Sequence, residues 1–188
     1  MTLSDTTPSR RDSRTLILDS AETVVARDGS RRLTIDAVVS QSGLSKGGVL
    51  YHFPNKTALL AGMVDRMVDG VRGDVDKAET RAAKTGEPAA VEIVSALTRR
   101  GGKDRQVSQA LLAAIAEQPE LLDPARALIE MIDDRLADTA SDPILMHILT
   151  LAIDGLHHRD LLGFPTFTPK TRDAVHHRLR AMTKELHS

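Results

Sequence analysis

Ser45-Lys46-Gly47-Gly48 joins a capping hydroxyl, a cation and two residues without side chains. Tyr51 and His52 follow one helical turn later, and Lys56 lies just beyond. A helix that begins this way can come close to a nucleic-acid duplex, because its glycines have small profiles. Lys46 can then reach a phosphate or a guanine edge. Tyr51 and His52 carry donors suited to phosphates. Thr34 and Lys56 stand where helices should start, and the free backbone N–H groups of a helix start favour anions. The chemistry expected of these residues is recognition of double-stranded DNA. The candidate DNA-binding residues are Thr34, Ser45, Lys46, Gly47, Gly48, Tyr51, His52 and Lys56. Within the set, Lys46, Tyr51 and His52 are expected to make contacts, and Gly48 to permit close approach. Arg10, Arg11 and Arg14 could reach a minor groove as N-terminal arms do, although a flexible tail is the preferred reading for them.

Other chemistries find less support. The chain has no cysteine, which excludes disulfides, thiolate metal sites and a cysteine nucleophile. It has no Gly-x-Ser-x-Gly, no phosphate loop and no His-Glu-x-x-His. No catalytic residue, metal or cofactor is expected, and a small helical enzyme is the least favoured alternative. His147, Asp154 and His158 share one helical stripe at i, i+7 and i+11, with His157 and Asp160 nearby. A metal is conceivable there, but polar residues seaming a dimer or lining a wet pocket are the preferred reading. The adjacent pair His176-His177 is read as surface.

The elements that must position the DNA-binding residues are helices. Aromatic residues make up 2% of the 188 residues, and strands usually draw on them. Ile17, Ala21, Val24 and Val25 lie on one face of a first helix that stops at Asp28-Gly29. Thr34 caps a short second helix. Gly43 makes the turn, and Ser45 caps a third helix to about His52. Val38, Val39, Leu44 and Val49 are expected to pack this pair against the first helix. Asn55 caps a long helix that reaches Asp74 or Ala83. Further openings are read at Glu87-Pro88, Asp104, Asp123-Pro124, Asp142-Pro143 and Thr168-Pro169, the last three as N-cap followed by proline.

The fold class expected is all-α with about nine helices. An N-terminal three-helix helix-turn-helix domain precedes a C-terminal helical domain. The expected divisions are a disordered tail at 1–11, a DNA-binding domain at 12–56 and the second domain at 57–188. Net charge is −1, so no global basic signal marks nucleic acid, but a short basic face within a neutral chain suffices. No apolar run approaches about 18 residues, so no membrane span is expected, and a cytoplasmic protein is the default.

The stretch from Thr34 to Leu60, TIDAVVSQSGLSKGGVLYHFPNKTALL, resembles the signature of the TetR/AcrR family of transcriptional regulators. The Ser-Lys-Gly tripeptide, the Tyr-His-Phe ending and the following lysine carry the likeness. It departs at Val38-Val39, where many members have Ile-Ala, and at Gly48, where many have Thr. The resemblance implies a helical homodimer whose C-terminal helical domain serves ligand binding and dimerisation, a palindromic operator and DNA binding relieved by a small-molecule effector, which makes the chain a repressor. A regulator of the same kind without an effector is the alternative.

In the C-terminal half, the segment from about Pro143 to Gly163 is apolar over a wide arc and should be buried on two sides. The resemblance implies that the last two helices pair with their copies in a four-helix dimer interface, which is expected at Ile148, Leu149, Ala152 and Leu156, with Val175, Leu179 and Met182 from the last helix. Candidate pocket residues are Met63, Met67, Leu111, Leu112, Ile115, Met131 and Met146. Without aromatic residues to cage a cation, a small apolar effector is the expectation.

Overall fold

The computed structural model describes residues 10–99, 108–109, 111–112, 118–164 and 167–187. Among them there is no strand, and eight α-helices have defined bounds, close to the nine expected. These are α1 (Arg10–Asp28), α2 (Ile35–Ser42), α3 (Lys46–His52), α4 (Lys56–Thr85), α5 (Ala89–Arg99), α6 (Asp123–Asp138), α7 (Pro143–Leu162) and α8 (Pro169–Leu186). Residues 108–109 and 111–112 are helical as well. The expected helix opening at Asp104 and most of the expected N-terminal tail lie outside the described residues, and α1 already includes Arg10 and Arg11.

The chain forms two compact units, residues 1–64 with 110–121, and residues 65–109 with 122–188. The first is built on α1, α2, α3 and the start of α4. Ile17, Leu18, Ala21, Val24 and Val25 of α1 are buried, the spacing of one helical face. Leu33, Val38, Val49, Leu59 and Met63 join them with no measurable exposure beyond 1%. Val38 and Val49 are thus the anchors of the short helices, while Val39 and Leu44 are half-buried. Phe53 ends α3 and is 3% exposed. The Arg14 guanidinium stands 5.4 Å from its ring centroid. On another side the ring meets Gly62 so closely that a Cβ there would fall 2.5 Å from Phe53 Cε1. Burying such a ring contributes about 1.5–3 kcal/mol, so Phe53 ties the end of α3 to α4.

The second unit holds the rest of α4 with α5, α6, α7 and α8. α4 takes the longer of the two lengths expected and ends at Gly86, whose φ is +73°. Its buried residues Val68, Val75, Ala78 and Ala82 follow helical spacing. α5 packs on α8 and α7, and α6 on α7. Ion pairs edge the packing. Arg81 and Arg180 both reach Glu92, at 3.1 and 3.4 Å, and Lys184 reaches Glu87 at 2.8 Å.

The proline openings behave in two ways. Asp142 and Thr168 cap α7 and α8 as expected, accepting from Leu145 N–H at 3.0 Å and Thr171 N–H at 3.2 Å. Asp123 does not cap α6. A 3-10 turn over Pro119–Leu122 runs directly into the helix, so the residue before Asp123 is already helical and makes no side-chain cap. The Asp123 carboxylate instead pairs with Arg126 at 2.6 Å.

Candidate nucleic-acid interface and ligand cavity

The turn between α2 and α3 is built from contacts that span three or four residues. Thr34 Oγ1 accepts from Ala37 N–H at 3.1 Å, which satisfies one of the orphan donors at the start of α2. Gly43 ends α2 with φ +71°, where an L side chain would be strained, and its N–H donates to Val39 O. Ser45 Oγ accepts from Gly48 N–H at 3.1 Å to start α3. Val49 turns inward with 0% exposure. Ser45 at the cap and Lys46, Gly47 and Tyr51 of α3 are exposed. Tyr51 is 66% exposed, and its ring stands edge-on to His52 with centroids 5.2 Å apart.

Lys46 Nζ lies 2.8 Å from Asp36 Oδ1, and both side chains are well exposed. Such surface pairs contribute about 0–1 kcal/mol, so the ammonium can pass to a phosphate at little cost. Nothing inside the protein requires Gly47 to be glycine, since a Cβ would meet no atom within 4 Å. At Gly48 a Cβ would come 3.2 Å from the capping Ser45 Oγ, so a side chain there presses on the cap. Asn55 Oδ1 accepts from Ala58 N–H at 2.8 Å, which places exposed Lys56 at the first position of α4. The eight residues expected at a DNA surface are therefore the N-caps Thr34 and Ser45, the α3 residues Lys46, Gly47, Gly48, Tyr51 and His52, and Lys56 in the first turn of α4.

The second unit contains a cavity of about 300 Å³. Ala125, Ile129 and Asp133 line it as one i, i+4 row of α6, beside Leu128 and Ile132. Thr150, Ile153, Asp154, His157, Asp160 and Leu161 line it from one face of α7. Met67, Val68 and Val71 of α4 contribute an apolar wall. Of the residues expected at a pocket, Met67 lies here. Met63, Leu111 and Met146 are buried in the cores, Leu112 and Met131 are exposed on the surface at 39% and 42%, and Ile115 is outside the described residues.

The polar groups of the cavity come from Asp133, Asp154, His157 and Asp160, with the hydroxyls of Ser108 and Thr150. Burial, reinforced by the nearby Asp133, raises the Asp154 carboxyl above its ordinary range. Burial lowers His157 below the usual imidazole range, against the opposing effect of its bond to Leu97. His157 Nε2 lies 3.0 Å from Leu97 O. A carbonyl only accepts, so Nε2 carries the proton and neutral His157 keeps Nδ1 as an acceptor. The stripe singled out in the sequence is divided. Asp154 lines the cavity, while His158 is exposed and bonds Asp154 O through Nδ1 at 2.8 Å. Among the described residues no group of His, Asp and Glu is arranged to hold a metal ion.

The sequence reading missed Asp133 as a cavity residue, whereas Asp154, His157 and Asp160, which it read as seaming a dimer or lining a wet pocket, all line the cavity. A carboxylate that continues the apolar row Ala125–Ile129 was the available signal for Asp133.

Of the residues expected at a dimer interface, Ile148 and Ala152 are exposed, and Leu156, Val175 and Met182 are half-buried. Leu149 and Leu179 face the core of their own unit. Ile144, Ile148 and Leu151 are 70%, 55% and 68% exposed and form a continuous stripe on α7. No described helix is long and apolar enough to cross a membrane.

Residues 17–63 match the family described as bacterial regulatory proteins, tetR family. Residues 88–184, more than half the chain, match the tetracyclin repressor-like C-terminal domain. Curated proteins include no significant match. Solved structures of similar fold include a member of the TetR family from Streptomyces coelicolor A3. It is 23% identical with a TM-score of 0.69, over 92% of this chain and 98% of that one. The multidrug binding protein EbrR, complexed with malachite green, is also 23% identical with a TM-score of 0.69, over 93% and 98% of the two chains. A transcriptional regulator from Rhodococcus sp. Rha1 is 19% identical with a TM-score of 0.67, over 93% and 95%. The helix-turn-helix that ends at Phe53 and the helical unit that follows it are those of the tetR family of bacterial regulatory proteins, and the chain belongs to that family of DNA-binding transcriptional regulators.

Proposed function

We propose that the protein is a homodimeric repressor that leaves its operator when a small molecule enters the cavity of the second unit. The observation that carries the DNA-binding surface is the exposed face of α3, with Lys46, Gly47 and Tyr51 outward and Val49 locked inward. Lys46, Tyr51 and His52 contact phosphates or base edges in the major groove. Thr34 and Lys56 hold phosphates at the starts of α2 and α4. Two copies of α3 would enter successive major grooves about 34 Å apart, which calls for a palindromic operator. The apolar stripe Ile144–Ile148–Leu151 of α7 supports pairing with a second copy, because a self-complementary patch suits two-fold symmetry.

The cavity supports the ligand-responsive part of the reading. α4 carries Met67, Val68 and Val71 on the cavity wall and Lys56 in its first turn. A ligand that prefers one placement of α4 therefore biases the placement of a DNA contact, by a coupling of typically about 1–3 kcal/mol. EbrR, similar in fold, has been crystallised with malachite green and with ethidium. The regulator is expected to work in the cytoplasm, where its operator is.

A footprint on the DNA upstream of its own gene tests the reading. Wild-type protein should protect a palindrome, and the affinity should fall steeply with salt, by a log–log slope of about 0.9 per phosphate contact. A folded Lys46→Ala/Tyr51→Ala double variant that protects the site equally well defeats the assignment.

A further inference from the structure

We propose that the cavity of the second unit takes a monovalent organic cation with an apolar body, held by the carboxylates of Asp133 and Asp154. The proposal rests on the ligand-responsive reading and names the chemical class of the effector. It replaces the uncharged apolar effector expected from the scarcity of aromatic residues.

The cavity itself calls for a small, largely apolar occupant. Its volume of about 300 Å³ is at the lower end of ligand pockets, and its walls come mainly from Met67, Val71, Leu128, Ile129 and Ile153. Hydrogen-bonding capacity on the walls is nearly all of one kind. The Thr150 hydroxyl already donates to His147 O at 3.0 Å, and the Ser108 hydroxyl points its proton at Met67 Sδ, 3.7 Å away. His157 has committed its N–H to Leu97 O, which leaves an acceptor nitrogen. No lysine or arginine is among the described lining residues.

Charge points the same way. Of the three lining carboxylates, Asp160 has its own cation, with Arg172 Nη2 at 2.5 Å. Among the described residues neither Asp133 nor Asp154 has an ion pair. Two carboxylates near each other in a part-buried, apolar place are unfavourable unless a cation enters or a proton is held. The raised carboxyl of Asp154 reports that tension. An anionic ligand would add a third negative charge, and a neutral one would leave both carboxylates without a counter-charge. A protonated amine supplies donors to a wall of acceptors and the missing positive charge together.

Three probes with one apolar body separate the possibilities. These are 4-phenylbutylamine, 4-phenylbutanol and 4-phenylbutyrate, titrated calorimetrically into the full-length protein without DNA at neutral pH. The amine should bind at least about tenfold tighter than the alcohol, and the carboxylate weakest of all. Asp133→Asn and Asp154→Asn keep the shape and remove the repulsion, so both should stay folded. Each should weaken the amine about tenfold or more while the alcohol is little changed. Equal binding of alcohol and amine, tighter binding of the carboxylate, no binding of the amine, or an amine indifferent to both variants would each overturn the proposal. Operator release is read in a separate arm. If the amine binds as expected and the operator stays bound, the cation site stands and the ligand-responsive reading fails. If 4-phenylbutyrate binds and releases the operator, regulation stands and the cation proposal fails.

Discussion

Alanine at Gly62 should weaken the protein, and alanine at Gly73 of the same helix should strengthen it. In an open helical position the replacement gains about 1 kcal/mol, because alanine has less backbone freedom to lose. Gly73 is such a position, since a Cβ meets nothing within 4 Å. At Gly62 the new carbon would lie 2.5 Å from Phe53 Cε1, 3.2 Å from Phe53 Cζ and 3.4 Å from Leu18 Cδ2. Carbon atoms prefer about 3.5–4.0 Å, so the ring must move by about 1 Å. Phe53 is 3% exposed and Arg14 covers its ring, so it has no open side to move into. Overpacking of this kind costs about 1–3 kcal/mol. Set against the propensity gain, the Gly62→Ala variant should lose up to about 2 kcal/mol, and the two variants should differ by about 1–3 kcal/mol. Urea unfolding at one protein concentration measures the difference. Circular dichroism follows all helices, and the fluorescence of Tyr51, the only tyrosine in a chain without tryptophan, reports α3. Because Phe53 directly follows α3, the Gly62 variant should also bind operator more weakly. A Gly62 variant as stable as the Gly73 variant would refute the packing argument.

Two further outcomes test other parts of the molecule. Leu151→Glu places a charge in the centre of the exposed α7 stripe and should convert a dimer to a folded monomer in light scattering. A dimer of unchanged strength would remove that stripe from the interface. His157 is held below the usual imidazole range in the folded chain, so between that lowered value and about 6.5 the unfolded chain binds more protons than the folded one. Stability therefore falls as pH is lowered through this window. His157→Gln should flatten the fall in melting temperature between pH 7 and 5, with the remainder of the slope partly from His176, which burial shifts the same way. A slope identical to wild type would show that His157 is not the group responsible.

The parts of the fold that were legible in the sequence are those whose partners lie close in the chain. Thr34, Ser45, Asn55, Asp142 and Thr168 each cap a group three residues away, and Gly43 answers a backbone angle of its own. Asp123 carried the same local signal and was misread, because the preceding 3-10 turn had already begun the helix. The cavity was mostly illegible. Met146 and Ile153 lie on the same face of one apolar helix, two turns apart, but one is sealed in the core and the other lines the cavity. Which stretch of a helical face meets a gap depends on how α4, α6 and α7 pack, over separations that periodicity does not encode. Methionine count was a poor guide for the same reason. The more useful mark was an acidic residue, Asp133, within an otherwise apolar row.

Gly47 has a consequence for the history of the operator. It stands exposed on α3, and no contact inside the protein forbids a side chain there. In the proposed docking of α3, Gly47 offers no side chain of its own to the base pair opposite it, so this position places little direct constraint on that pair. That base pair is then free to drift among binding sites, so sites controlled by this regulator should diverge there before they diverge under Lys46. One substitution at Gly47 would end that freedom and add a contact without disturbing the fold. New specificity could therefore arise at this position in a single mutational step.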